Sequence, residues 1–186
     1  MRGAHAGAHN GAAGVLPGQR DTGVFAMSQK LVAYFSATGS TARVAHRLAR
    51  AIDAELYEIK AAQPYSAADL NWHDNGSRST LEMADKAARP ALADHNAPVA
   101  AADIVYLGAP IWWSVPPRII NTFLEAYDFE GKTVACFVTS GGSSASAVVS
   151  AVHPSAPGAH FTAARRFSAG AGDKELQQWA KAAEAV

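Results

Sequence analysis

The chain has 186 residues and a single cysteine, Cys136. One thiol excludes an internal disulfide framework and any cysteine-built zinc or iron–sulfur site. It makes a reducing compartment, the cytoplasm, the expected location. Charge of one sign is also missing, since 16 Lys+Arg stand against 16 Asp+Glu. A broad basic footprint for nucleic acid is thereby excluded. No apolar run approaches the roughly 18 residues of a membrane span. The hydrophobic fraction of 49% is inflated by 42 alanines, and the large apolar residues are ordinary in number for one globular domain. Several phosphate signatures are absent too. There is no G-x-G-x-x-G dinucleotide fingerprint and no Walker lysine. No G-x-S-x-G elbow exists, and no Asp/His pair is placed for a hydrolase triad. The seven histidines show no metal-ligand spacing, so no metal is expected.

Residues 1–26 differ from the rest. They hold six glycines, His5 and His9, and only Val15, Leu16, Val24 and Phe25 as large apolar residues. They read as a disordered leader, either vector-derived or a natural extension, with no chemistry of its own. The domain is expected over 27–186, opening at Met27.

What is present is a repeated pattern. Leu31-Val32-Ala33-Tyr34-Phe35 is apolar without alternation, as in a strand buried on both faces. A polar loop, 36–41, follows, and then Val44, Leu48 and Ile52 recur at helical spacing with Arg43, Arg47 and Arg50 outward. Residues 55–59 alternate and predict an edge strand. Residues 104–107 and 133–138 predict two more buried strands, and 160–163 a fifth. Helices are expected from Pro116-Pro117 onward with Ile120, Phe123, Leu124 and Tyr127 inward, and weakly over 144–152. A last helix, N-capped by Asp173, carries Leu176, Trp179, Ala180 and Ala183 on one face. Alternating strands and helices imply a parallel sheet covered on both sides. The fold class is α/β: a doubly wound five-stranded parallel sheet of order 2-1-3-4-5. A long insertion, 60–100, lies between strands 2 and 3, with a short helix near 79–88. A connection of this length is often functional, and this one reads as a flap over the carboxyl edge of the sheet.

In such sheets ligands bind beyond the carboxyl ends of the strands. Three loops lie there. The first, Ser36-Ala37-Thr38-Gly39-Ser40-Thr41-Ala42, supplies four hydroxyls, a glycine for close approach and the start of a helix whose amides favour an anion. It suits a monophosphate held by hydroxyls and amides alone. The second, Pro110-Ile111-Trp112-Trp113, supplies two adjacent tryptophans. They cannot both point inward from an extended segment, so one must meet solvent or a ligand. The third is Thr139-Ser140-Gly141-Gly142.

Lys30 to Thr41, with its strand, Ser/Thr-Gly loop and amphipathic helix in register, resembles the opening of the flavodoxins. The resemblance covers about 27–186. It implies FMN as cofactor: the first loop on the phosphate, Trp112 stacked on the ring with Trp113 beside it, and the third loop at the pyrimidine edge. Pro110-Ile111-Trp112-Trp113 and the stretch 74–79 resemble a bacterial flavodoxin-like subfamily. The third loop departs from the short-chain pattern, lacking its acidic residue and its ring-covering tyrosine. Two further residues are candidates for a substrate or the flavin. His73 is otherwise an ordinary surface histidine and Arg78 otherwise a partner in an ion pair. No residue is assigned a catalytic role. Cys136 reads as a small buried hydrophobe.

The resemblance implies electron transfer through the flavin to a redox partner protein. The alternative is an FMN-dependent NAD(P)H oxidoreductase acting on quinones or a similar small-molecule acceptor. A flavin-free binding module is the third reading. Residues 27–186 carry 14 Lys+Arg and 15 Asp+Glu, a net of −1, whereas the resemblance implies a strongly acidic shuttle.

Overall fold

In the computed structural model, which describes residues 29–185, the apolar run at the start of the domain is buried twice over. Leu31, Ala33 and Phe35 face one hydrophobic cluster and Val32 and Tyr34 the other. This strand, β1 (Lys30–Tyr34), is central. The period-2 division recurs in β3 (Ile104–Pro110), with Val105, Leu107 and Ala109 on one side and Ile104 and Tyr106 on the other. It recurs again in β4 (Thr133–Thr139), where Val134, Cys136 and Val138 oppose Ala135 and Phe137. The sheet order is β2-β1-β3-β4-β5, all parallel, with β2 (Glu55–Glu58) at one end and β5 (His160–Phe161) at the other. The doubly wound order read from the sequence is therefore the observed one.

Helices α1 (Ser40–Ile52) and α5 (Asp173–Ala183) cover one face. On the opposite face lie α3 (Ile119–Ala126) and α4 (Val148–Val152). A short α2 (Arg78–Ala84) belongs to the insertion. None of these helices is long and apolar enough to cross a membrane.

Five local expectations shift. The fifth strand is split: β5 (His160–Phe161) pairs with Thr133 and Val134, and β6 (Arg165–Arg166) pairs with Phe137 and Val138. Two exposed arginines on a sheet edge carry no hydrophobic signal that marks a strand. The last helix has Gly172 at its N-cap and no side-chain cap. Asp173 is its first residue, where with Glu175 it complements the positive end of the helix. Helix α3 begins at Ile119, after the buried pair Pro116-Pro117. Helix α4 begins only at Val148, because the Ser144 and Ser146 hydroxyls bond each other at 2.8 Å and the Ser144 hydroxyl also accepts from the Ser146 amide. Asp85 ends α2 by turning its carboxylate to the Ala87 amide.

The insertion is pinned at its neck. Ala61 and Leu92 form an antiparallel bridge, flanked by bonds from the Ala62 amide to the Ala91 carbonyl and from the Ala93 amide to the Lys60 carbonyl. The segment between them turns back over the carboxyl edge of the sheet.

Cys136 lies in the middle of β4, 2% exposed, and desolvation pushes its thiol up to about 12. Under native conditions at mild alkaline pH, a chromogenic disulfide reagent should leave this thiol unmodified, while the urea-unfolded chain releases one equivalent. Rapid labelling of the folded protein would show that Cys136 is accessible.

Candidate functional site

Gly39 adopts φ 87, a left-handed conformation that glycine takes without strain, and from it α1 starts at Ser40. The Ser36 hydroxyl accepts from the Gly39 and Ala42 amides at 3.1 and 3.2 Å, folding the loop over the helix start. The amides of Ser40 and Thr41, in the first turn, have no intrahelical acceptor. Thr41 itself points inward, 1% exposed, with its hydroxyl 2.8 Å from that of Thr139. Of the four hydroxyls, then, Ser36 and Thr41 build the loop and tie it to β4, while Thr38 and Ser40 face the cavity. Arg43 adds a contact the sequence did not suggest, its Nη2 donating to the Ser40 hydroxyl at 3.2 Å.

Two adjoining cavities lie over this loop, sharing Thr38, Pro110 and Ile111 in their walls. The polar one, about 340 Å³, is completed by Ser40, Thr139, Ser140, Gly141, Phe167 and Ala169. The larger, about 470 Å³, is completed by Ala37, Trp112, Trp113 and, from the insertion, Leu70, Trp72 and Ser79. No charged side chain lines either one. The three loops read from the sequence thus meet in one place, and the insertion joins them. Gly142 is exposed beside Gly141 and outside both walls, and Ala42 contributes its amide to the Ser36 cap. Leu70, Phe167 and Ala169 had no local motif to mark them.

The two tryptophans differ in exposure. Trp112 is partly buried, with the rings of Phe35 and Tyr65 edge-on to it at 5.9 and 5.4 Å. Trp113 is 48% exposed. The pair Trp113-Ser114 occupies the corner of a tight turn, closed by bonds from the Trp112 amide to the Val115 carbonyl and from the Val115 amide to the Trp112 carbonyl. Both corner residues have positive φ, 46 and 71, which turns of this kind usually assign to Asn or Gly. A bulky residue held there is strained by about 1–3 kcal/mol, a cost typical of functional loops. Trp72, 66% exposed, stands on the insertion side of the same cavity.

Arg78 is held within the insertion. Its Nε meets Glu82 Oε1 at 2.6 Å, its Nη1 donates to the Gln63 carbonyl, and its guanidinium lies 4.0 Å over the Tyr65 ring. Tyr65 in turn donates to Glu82 Oε2, and burial, followed by that bond, holds its hydroxyl well above the usual tyrosine range. His73 is exposed, its ring 3.5 Å from that of Trp72 and outside the cavity walls.

No curated protein matches the chain. A crystal structure from Bacteroides uniformis, designated a flavoprotein, is 49% identical with a TM-score of 0.78, covering 83% of this chain and 98% of its own. Another from Bacteroides eggerthii is 42% identical with a TM-score of 0.80, covering 85% and 99%. A flavoprotein from Lactobacillus acidophilus, solved in complex with FMN, is 25% identical with a TM-score of 0.63, covering 83% and 99%. The family model for flavodoxin matches residues 29–183, the whole sheet with its three loops and both cavities. The chain belongs to the flavodoxin family.

Proposed function

We propose that the chain is an FMN-binding redox protein that passes electrons through the flavin to a partner protein. The pair of adjoining cavities carries this reading, because their chemistry divides as FMN does. The polar cavity, at the start of a 13-residue helix, offers the hydroxyls of Thr38 and Ser40 and the first-turn amides to a phosphate monoester. The apolar cavity offers Trp112 and Trp113 to a flat ring, where offset stacking adds about 0.5–1.5 kcal/mol beyond burial. Ser140 and Gly141, from the third loop, close the far side. The bound flavin would supply the redox chemistry, and the protein its position and surroundings. Around the ring those surroundings are uncharged, so the environment acts through stacking and desolvation rather than through a counter-ion. The FMN complex of the Lactobacillus relative supports the same cofactor.

Titration of the FMN-free protein with FMN should quench flavin fluorescence and yield a yellow protein that survives gel filtration. A chain that stays colourless at saturating FMN would leave the flavin-free binding module as the standing reading.

A second reading, an FMN-dependent NAD(P)H oxidoreductase for quinones or similar acceptors, draws on the exposed pair Trp72 and Trp113. They leave one wall of the apolar cavity open to a second flat molecule. Stopped-flow mixing of the FMN-loaded protein with NADPH separates the two. A carrier bleaches only when a reductase is added, and an oxidoreductase bleaches directly within a catalytic turnover time. Direct bleaching would overturn the carrier reading.

A further inference from the structure

Trp112 stands at the seam between core and cavity. Two aromatic edges fix the plane of its ring: Phe35 at 86° and Tyr65 at 80°. Phe35 directly follows β1 and is buried by the sheet. Tyr65 belongs to the insertion and to no strand or helix, and its ring meets the core edge-on at Phe35, 5.7 Å away. A closed ring of polar contacts fixes its other end. The Tyr65 hydroxyl donates to Glu82 Oε2 at 2.6 Å, Glu82 Oε1 accepts from Arg78 Nε at 2.6 Å, and the Arg78 guanidinium returns over the Tyr65 ring. Arg78 is anchored a third way, by the Gln63 carbonyl at 2.7 Å.

The ion pair is also well covered, with side-chain exposures of 20% and 15%. A solvated pair at this spacing on a seven-residue helix does little beyond supporting that helix. Here both charges are turned off the helix and onto one aromatic ring.

We infer that Arg78 and Glu82 are positioning residues for Trp112, acting through Tyr65 to fix the surface on which the flavin ring stacks. The inference rests on the FMN reading above. Neither residue touches the cavity, so each affects the flavin only through the orientation of Trp112.

The test compares the FMN dissociation constant and the flavin midpoint potential of wild type, Glu82→Gln, Arg78→Ala and Tyr65→Phe. Arg89→Ala is the control. It breaks an ion pair that also ties the insertion down, with Nε and Nη2 at 2.7 and 2.8 Å from Glu125, but without contact to Tyr65. Loss of a charge-assisted bond in the ring should raise the dissociation constant about tenfold in Glu82→Gln and Arg78→Ala and shift the potential. Tyr65→Phe keeps the ring edge and should give a smaller change of the same sign. Arg89→Ala should leave both constants alone. Near-ultraviolet circular dichroism of the FMN-free proteins gives an independent readout. The tryptophan signal that Trp112→Phe removes should be altered in Glu82→Gln and Arg78→Ala and intact in Arg89→Ala.

Unchanged affinity, potential and dichroism in Glu82→Gln and Arg78→Ala would overturn the inference, as would equal effects from Arg89→Ala. A wild-type protein that takes up no FMN would defeat the flavin reading instead, and the dichroism alone would then decide whether the ring of contacts holds Trp112.

Discussion

Thr38→Ala combined with Ser40→Ala should lower FMN affinity by about two to four orders of magnitude, each lost charge-assisted bond being worth about 1.5–3 kcal/mol. The effect is large because no lysine or arginine lines the polar cavity to compensate. Arg43 touches Ser40 from outside and would lose that contact in the same variant. The two other hydroxyls of the loop should behave differently. Ser36 caps the amides of Gly39 and Ala42, so Ser36→Ala should cost stability of about 0.5–2 kcal/mol, the range of a lost helix cap. Thr41→Val leaves the Thr139 hydroxyl buried without its partner, at about 1–3 kcal/mol. Calorimetric titration with FMN and thermal unfolding of the FMN-free protein separate the classes. Thr38 and Ser40 should move the first measurement and barely the second. Wild-type affinity in the double variant would refute the phosphate-loop assignment.

This division of the loop shows where a sequence stops being legible. Four hydroxyls in six residues lead to the expectation of an anion loop, but which pair faces out depends on how the chain turns at Gly39. That in turn depends on β4 lying two strands away with Thr139 at its end. The central sheet was readable because β1, β3 and β4 are buried on both faces and so lack polar residues in their interiors. Residues Arg165 and Arg166 were not, since a two-residue edge strand is stabilised by its neighbour's backbone and needs no apolar side chain. The tryptophan pair was readable as one that could not point inward together. The strained turn that sets them, with φ positive at Trp113 and Ser114, runs against the residue preferences a reader relies on. The insertion was recognisable by its length and by the resemblance of its stretch 74–79. Its packing on Trp112 follows from the neck at Ala61 and Leu92, a contact between residues 31 apart that no local pattern announces. Arg78 shows the same limit: as a lone arginine in a polar stretch it reads as an ion-pair partner with an anion ligand as the lesser alternative, and Glu82 and Tyr65 beside it place it in the ion pair.

Phe137→Ala should destabilise the domain by about 3–5 kcal/mol and Gly108→Ala by about 1–3 kcal/mol, with the two effects strongly coupled. The residues pair across β3 and β4, and Phe137 lies fully buried on the α1 and α5 face. A Cβ at position 108 would stand 2.2 Å from Phe137 Cζ and under 3.0 Å from both Cε atoms. The ring cannot retreat, because Trp179 of α5 packs edge-on behind it at 6.0 Å. Gly108 is therefore required for close approach and not for an unusual backbone angle. In the double variant Gly108→Ala/Phe137→Ala the new methyl at position 108 occupies part of the space the ring vacates. Urea unfolding should then show less destabilisation than the sum of the singles, a departure from additivity expected only of residues in contact. Additive losses would mean that the ring moves aside freely. The same change reaches the site, because β3 runs directly into Pro110 and Ile111, and the Ile111 amide bonds the Thr139 carbonyl at 3.1 Å. A shift of β3 against β4 at Gly108 pulls on that bond and on the two loops it joins. Gly108→Ala should therefore weaken FMN binding as well as folding, although its Cβ would lie on the face of the sheet away from Trp112.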